Sequence, residues 1–119
     1  MQNAAPETME RYHELLALMD GNQELLQELI DVFLEDAPQL MDLVRKALGD
    51  CDAGAVYRAA HTLKGSAGNF GAPAVVGLAL GLEADAREGD LEAAAVHFGT
   101  LEAEIGRLTA ELLAARDIS

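Results

Sequence analysis

One short run concentrates the side chains able to do chemistry: Ala59-Ala60-His61-Thr62-Leu63-Lys64-Gly65-Ser66-Ala67-Gly68-Asn69-Phe70-Gly71. A neutral imidazole is a competent nucleophile near neutral pH, because its unperturbed pKa is about 6.5. Lys64 follows His61 by one helical turn and sets a fixed positive charge within reach of any anion on the ring. Phosphoryl transfer needs in-line positioning and charge stabilisation more than acid–base work. An open imidazole, a neighbouring ammonium and an unobstructed approach supply the acceptor's half of that reaction. No cluster of metal-binding carboxylates accompanies them in sequence. No bound cofactor is therefore expected, and any Mg²⁺ is expected to come from a partner.

The helical spacing of the run says which way these groups face. At about 100° per residue, Val56, Ala60, Leu63, Ala67 and Phe70 fall within about 40° of one direction, the core face. His61 lies roughly 140° from that centre, and Arg58, Lys64, Gly65 and Gly68 share its outer arc. The histidine is therefore expected in solvent rather than as a satisfied core residue. The glycines strengthen that expectation. Each Gly inside a helix costs about 1 kcal/mol relative to Ala, and Gly65 and Gly68 sit one and two turns beyond His61 on its own side. Bare positions there leave clearance for a partner's loop.

Five helices must position this run. The first is expected from near Thr8 to Asp20-Gly21, with Met9, Tyr12, Leu15, Leu16 and Met19 inward. Asn22 caps the second, whose stripe is Leu26, Ile30, Phe33, Ala37, Leu40 or Met41, Val44 and Leu48. Pro38 interrupts that helix without changing its apolar phase, which favours a kink over a break. Gly49 ends it, and Asp50 or Asp52 caps the third helix, expected from about Ala53 to Phe70. Pro73 suits the first turn of the fourth, which carries Val75, Leu78, Ala79, Leu82 and Ala86 and finishes at Gly89. Asp90 caps the fifth, with Leu91, Ala94, Phe98, Leu101, Ile105, Leu108 and Leu112 inward. Short connections make successive helices antiparallel. The expected fold is all-α: an up-down-up-down four-helix bundle with an additional short N-terminal helix. One domain is expected over residues 8–115, after a disordered lead at 1–7 and before a C-terminal tail at 116–119.

Composition narrows the function classes. The chain has 119 residues, half of them apolar, enough for one core and too few for two. Its 21 acidic and 8 basic side chains leave a net charge of −13, which repels nucleic acid and anionic lipid. No strand precedes a Gly-rich loop, so a nucleotide site is not expected. A single cysteine, Cys51, suits a reducing compartment and reads as an incidental thiol. The first ten residues lack the basic start and apolar core of a secretory leader, and no apolar run is long enough to span a bilayer. The domain is expected to be cytoplasmic. His13 and His97 lack ligand-spaced partners and read as structural or solvated. A metal-binding bundle would need repeated inward Glu and Glu-x-x-His pairs, which this chain lacks.

The run HTLKGSAGNFGA also resembles the signature of histidine phosphotransfer domains of two-component phosphorelays. The similarity extends from about Thr8 to Ala115, including DAPQLMDLV and the turn Arg87-Glu88-Gly89-Asp90-Leu91. The resemblance implies a monomeric helical bundle that relays phosphoryl groups between receiver-domain aspartates and has no ATP-dependent kinase activity of its own. It implies that His61 accepts the group on Nε2, that Lys64 stabilises the phosphoryl oxygens, and that Gly65 permits close docking. Some such domains carry a glutamine on the following helix that bonds near the histidine. The matching residue is Glu83, whose carboxylate is expected to hold Nδ1–H. Arg58, Thr62, Gly68 and Glu83 are expected to face the partner, either a response-regulator receiver domain or a hybrid sensor kinase. The competing expectation is a bundle that binds such partners without phosphotransfer.

Overall fold

Helix boundaries follow local chemistry closely. The computed structural model describes residues 5–118 and contains five helices: α1 Pro6–Leu18, α2 Gln23–Gly49, α3 Ala53–Gly68, α4 Pro73–Arg87 and α5 Leu91–Ile118. Three starts carry the expected side-chain caps, each relieving one of the orphan backbone donors of a first turn. Asn22 accepts from the Leu25 amide at 3.0 Å, Asp52 from Ala55 at 3.1 Å and Asp90 from Ala93 at 3.1 Å. Pro6 and Pro73 occupy first turns, where a missing N–H costs nothing.

Several boundaries differ from the sequence expectation. α1 begins at Pro6 rather than Thr8, so Pro6 and Glu7 belong to the helix; residues 1–4 of the expected lead lie outside the described residues. α3 closes at Gly68, two residues before Phe70, and the chain reverses at Gly71 with φ +69°. Phe70 nevertheless stays fully buried and meets Phe33 edge-on at 5.6 Å between ring centroids. α2, by contrast, closes at Gly49 as expected, and the left-handed residue that follows it is Cys51, with φ +54°. Residues 116–118 of the expected tail are helical, because Ala115 is buried and Arg116 reaches Asp31 of α2 at 2.7 Å; Ser119 lies outside the described residues.

α2 passes through Pro38 unbroken. The side-chain amide of Gln39 donates to the Glu35 carbonyl at 3.3 Å, in the turn where the proline ring removes a backbone donor. Continuity of the buried stripe across that turn keeps the helix whole: Phe33 and Ala37 before it, Met41 and Val44 after it. Met41 takes the core position rather than Leu40, and Ala47 is buried where Leu48 is only half-covered.

Cross-helix pairs give the topology. Along α3 and α4, Tyr57 meets Arg87 and His61 meets Glu83, so rising numbers on one run against falling numbers on the other. Along α2 and α5, Asp31 meets Arg116 and Arg45 meets Glu102 in the same opposed order. α2 to α5 therefore form an antiparallel four-helix bundle, elongated to 49 × 22 × 19 Å. α1 packs on α5 and on the start of α2, through Arg11–Glu111 at 2.9 Å and Gln23–Tyr12 at 2.8 Å. Arg11 also donates to the Phe70 carbonyl at 3.2 Å, so α1 holds the C-terminal end of the helix that carries His61. The core is a continuous cluster of leucine, valine, isoleucine, phenylalanine and alanine side chains along the bundle. No described helix is long and apolar enough to cross a membrane.

Candidate functional site

The expected core face of α3 is buried as a unit: Val56, Ala60, Leu63, Ala67 and Phe70 are each fully enclosed. That burial fixes the rotation of the helix and turns His61 outward, leaving its side chain 61% exposed. Lys64, a turn later, leans towards α4 and is 26% exposed.

Between them, and beneath both, lies Glu83 of α4. Its side chain is only 5% exposed, and it is the sole buried charged residue among those described. One carboxylate oxygen, Oε2, is 2.9 Å from His61 Nδ1. The other, Oε1, accepts from Lys64 Nζ at 3.0 Å. An ionised carboxylate only accepts hydrogen bonds, so Nδ1 carries the proton of this bond, and in the neutral ring Nε2 is then the nitrogen with the lone pair. Burial by itself would raise the Glu83 carboxyl. The hydrogen bonds from Lys64 and His61, with their charges, outweigh burial and hold it below its ordinary value.

A second support was not legible in the sequence. The Tyr57 ring lies nearly parallel to the imidazole, at 9° and 6.0 Å between centroids. Arg87 clamps Tyr57 from α4: its guanidinium lies 5.3 Å from the ring centroid, and Nη2 donates to the phenolic oxygen at 3.2 Å. Tyr57 precedes His61 by four residues, the spacing at which helix side chains meet, and that was the available signal.

The other side of His61 is bare. Gly65 and Gly68 are exposed, and a Cβ on either would meet no atom within 4 Å. Close packing within the domain therefore does not require these glycines. The helix surface beside His61 is open at both positions.

The other residues expected to face a partner divide. Thr62 and Arg58 are exposed, as expected, on the α2 side of α3. The Thr62 hydroxyl is engaged with the Arg58 carbonyl at 3.1 Å, and the Arg58 guanidinium lies back over Gly54, a turn towards the helix start. Both line an open groove of about 400 Å³ between α2 and α3, with Leu40, Leu43 and Lys46; His61 is not among its lining residues. Glu83, expected on the same face, is instead buried beneath His61 and Lys64 and bonded to both.

His97 offers an internal contrast. Its Nδ1 bonds Asp85, and its ring lies against Gly81, where a Cβ would come within 3.2 Å. This second imidazole–carboxylate pair has no ammonium bonded to its carboxylate and fastens α5 to α4. His13 is exposed beside Tyr12. Among the described residues no group of three His, Cys, Asp or Glu side chains is placed to hold a metal ion.

The model of the Hpt domain family matches residues 28–111, most of the chain and all of the His61–Lys64–Glu83 cluster. The chain belongs to the Hpt domain family. Comparison with curated proteins and with solved structures gave no match. The matched region of this Hpt domain begins within α2, so α1 lies outside it while still fastening the end of α3. Membership carries the general role of the family, histidine phosphotransfer in phosphorelays, and the helical bundle agrees with it.

Proposed function

We propose that this Hpt domain is a phosphorelay intermediate in which His61 Nε2 accepts a phosphoryl group from the phospho-aspartate of a receiver domain and passes it to another. The observation that carries the reading is the exposed imidazole whose Nδ1 is held by buried Glu83, beside Lys64 and two bare helix positions. In the accepting step the Nε2 lone pair attacks phosphorus, the N–P bond forms, and the P–O bond to the aspartate breaks with its electron pair leaving on the carboxylate. The Nδ1 proton stays on the ring, bonded to Glu83. Lys64 supplies positive charge to the phosphoryl oxygens, and Gly65 and Gly68 let the receiver's loops reach the ring. Tyr57 and Glu83 limit the ring to the orientation that in-line attack needs.

A Mg²⁺ ion serving the reaction belongs to the receiver's side in this reading, and the domain works as a cytoplasmic monomer. Its partners are response-regulator receivers and a hybrid sensor kinase; ATP is not a substrate. The test is transfer from a panel of phosphorylated receivers, scoring phosphate that is acid-labile and alkali-stable. Labelling of the wild type and none of His61→Gln is expected. Labelled His61→Gln overturns the site, and receiver binding without transfer turns the reading into that of a pure docking module.

A further inference from the structure

We infer that the buried Glu83 carboxylate makes a phosphoryl group on His61 short-lived and readily surrendered, so that the domain is poised as a donor rather than as a store. This rests on the reading of His61 as the acceptor and concerns what happens after acceptance.

Two independent effects lead there. The first is the leaving group. In donation, a carboxylate oxygen of the receiving aspartate attacks phosphorus, the new O–P bond forms, and the N–P bond breaks with its electron pair returning to Nε2. If Nδ1 still holds its proton, the departing group is a neutral imidazole. If Nδ1 has lost it, the departing group is an imidazolate, which leaves far less readily. The buried Glu83 Oε2, 2.9 Å from Nδ1, accepts that N–H and offsets the positive charge of the phosphorylated, protonated ring. The second effect is the charge count around Nε2. The groups facing the ring are Lys64 and Tyr57 on α3 and Glu83 on α4, with Arg87 held behind Tyr57. Arg58 turns away over Gly54. Carboxylate and ammonium cancel, and the phosphoryl group brings a charge of roughly −2. A neutral amide in place of Glu83 would leave the Lys64 charge wholly to the phosphoryl oxygens. The carboxylate removes that surplus and repels the group directly. Both effects lower the cost of losing the phosphoryl group.

The test needs no receiver. The whole chain is charged with phosphoramidate, the donor is removed, and loss of phosphohistidine is followed by ³¹P NMR across the neutral to alkaline range. His61→Gln supplies the background from His13 and His97. Glu83→Gln is expected to keep its phosphoryl group about threefold longer or more, consistent with removal of a close charge, with the gap widening as the pH rises. Equal lifetimes and parallel pH profiles overturn the inference. A second measurement uses only the unmodified chain: ¹⁵N spectra of phosphorylated His61 should show Nδ1 still protonated at mildly alkaline pH, and a bare Nδ1 there overturns the inference whatever the variant does. Failure of receivers to exchange with His61 sinks the proposed function while these lifetimes still report on Glu83. No uptake at His61 from phosphoramidate overturns both.

Discussion

Glu83 Oε2 lies 2.9 Å from His61 Nδ1, joining an almost fully buried carboxylate on α4 to a mostly exposed imidazole on α3. The same carboxylate binds Lys64, so one buried group sets the positions of both outward-reaching side chains. Because no buried side-chain donor or acceptor among the described residues lacks a partner, replacing any member of the cluster has a calculable consequence.

Glu83→Ala should destabilise the fold by about 1–3 kcal/mol, since it leaves a partly buried ammonium without its acceptor and opens a small void. Glu83→Gln, which keeps volume and one acceptor, should cost less. Urea unfolding of the three proteins orders them; equal midpoints would show that the carboxylate has no structural role.

The depressed Glu83 carboxyl ties stability to pH. Its folded value lies below the ordinary one, with burial opposing and the Lys64 and His61 interactions prevailing. The unfolded chain therefore binds the proton more readily. The stabilisation is complete above the unfolded value of about 4.3 and is lost as pH falls through the lower folded value. The stability advantage of the wild type over Glu83→Gln should be steady near neutrality and shrink on acidification below about pH 4. An advantage that grew in acid would reverse the sign assigned here.

Tyr57→Leu should slow phosphoryl acceptance by roughly tenfold, the scale of a lost positioning contact, whereas Tyr57→Phe keeps the parallel ring and should stay near wild type. Arg87→Gln should fall between them, because it frees Tyr57 without removing it. Rates from single-turnover transfer decide this, with the acceptor's concentration dependence recorded. Tyr57→Phe as slow as Tyr57→Leu would assign the effect to the hydroxyl bond with Arg87 instead of the stack.

Gly65→Ala should separate folding from docking. A Cβ there meets nothing within 4 Å, so the substitution should stabilise α3 by about 0.5–1 kcal/mol through helix propensity alone. Gly65→Leu should fold as well but obstruct a receiver, lowering transfer from phospho-aspartate while leaving phosphoramidate labelling intact. Undiminished receiver transfer by Gly65→Leu would remove the clearance argument.

Much of this molecule was determined by the sequence alone. The apolar period placed five helices, and Asn22, Asp52, Asp90, Pro73 and Gly71 marked their ends, because caps and reversals depend on residues only a few positions apart. The outward turn of His61 and the bare flank at Gly65 and Gly68 were also legible, since the face of a residue follows from its phase against the core stripe of its own helix. Ends that depend on partners were not legible: α5 persists to Ile118 because Asp31 of α2 receives Arg116.

The resemblance matched Glu83 to the partner of Nδ1, but the burial of that carboxylate and its bond to Lys64 were decided only by tertiary structure. Glu83 flanks its helix's stripe, and a flank residue is buried or exposed according to whether a neighbour closes over it. The approach of α3 made it buried, bonded it to His61 and Lys64 together, and brought Arg87 onto Tyr57. Periodicity sorts the inside of one helix from its outside; which side chains meet across two helices depends on their axial offset and rotation, and those are set by packing the whole core.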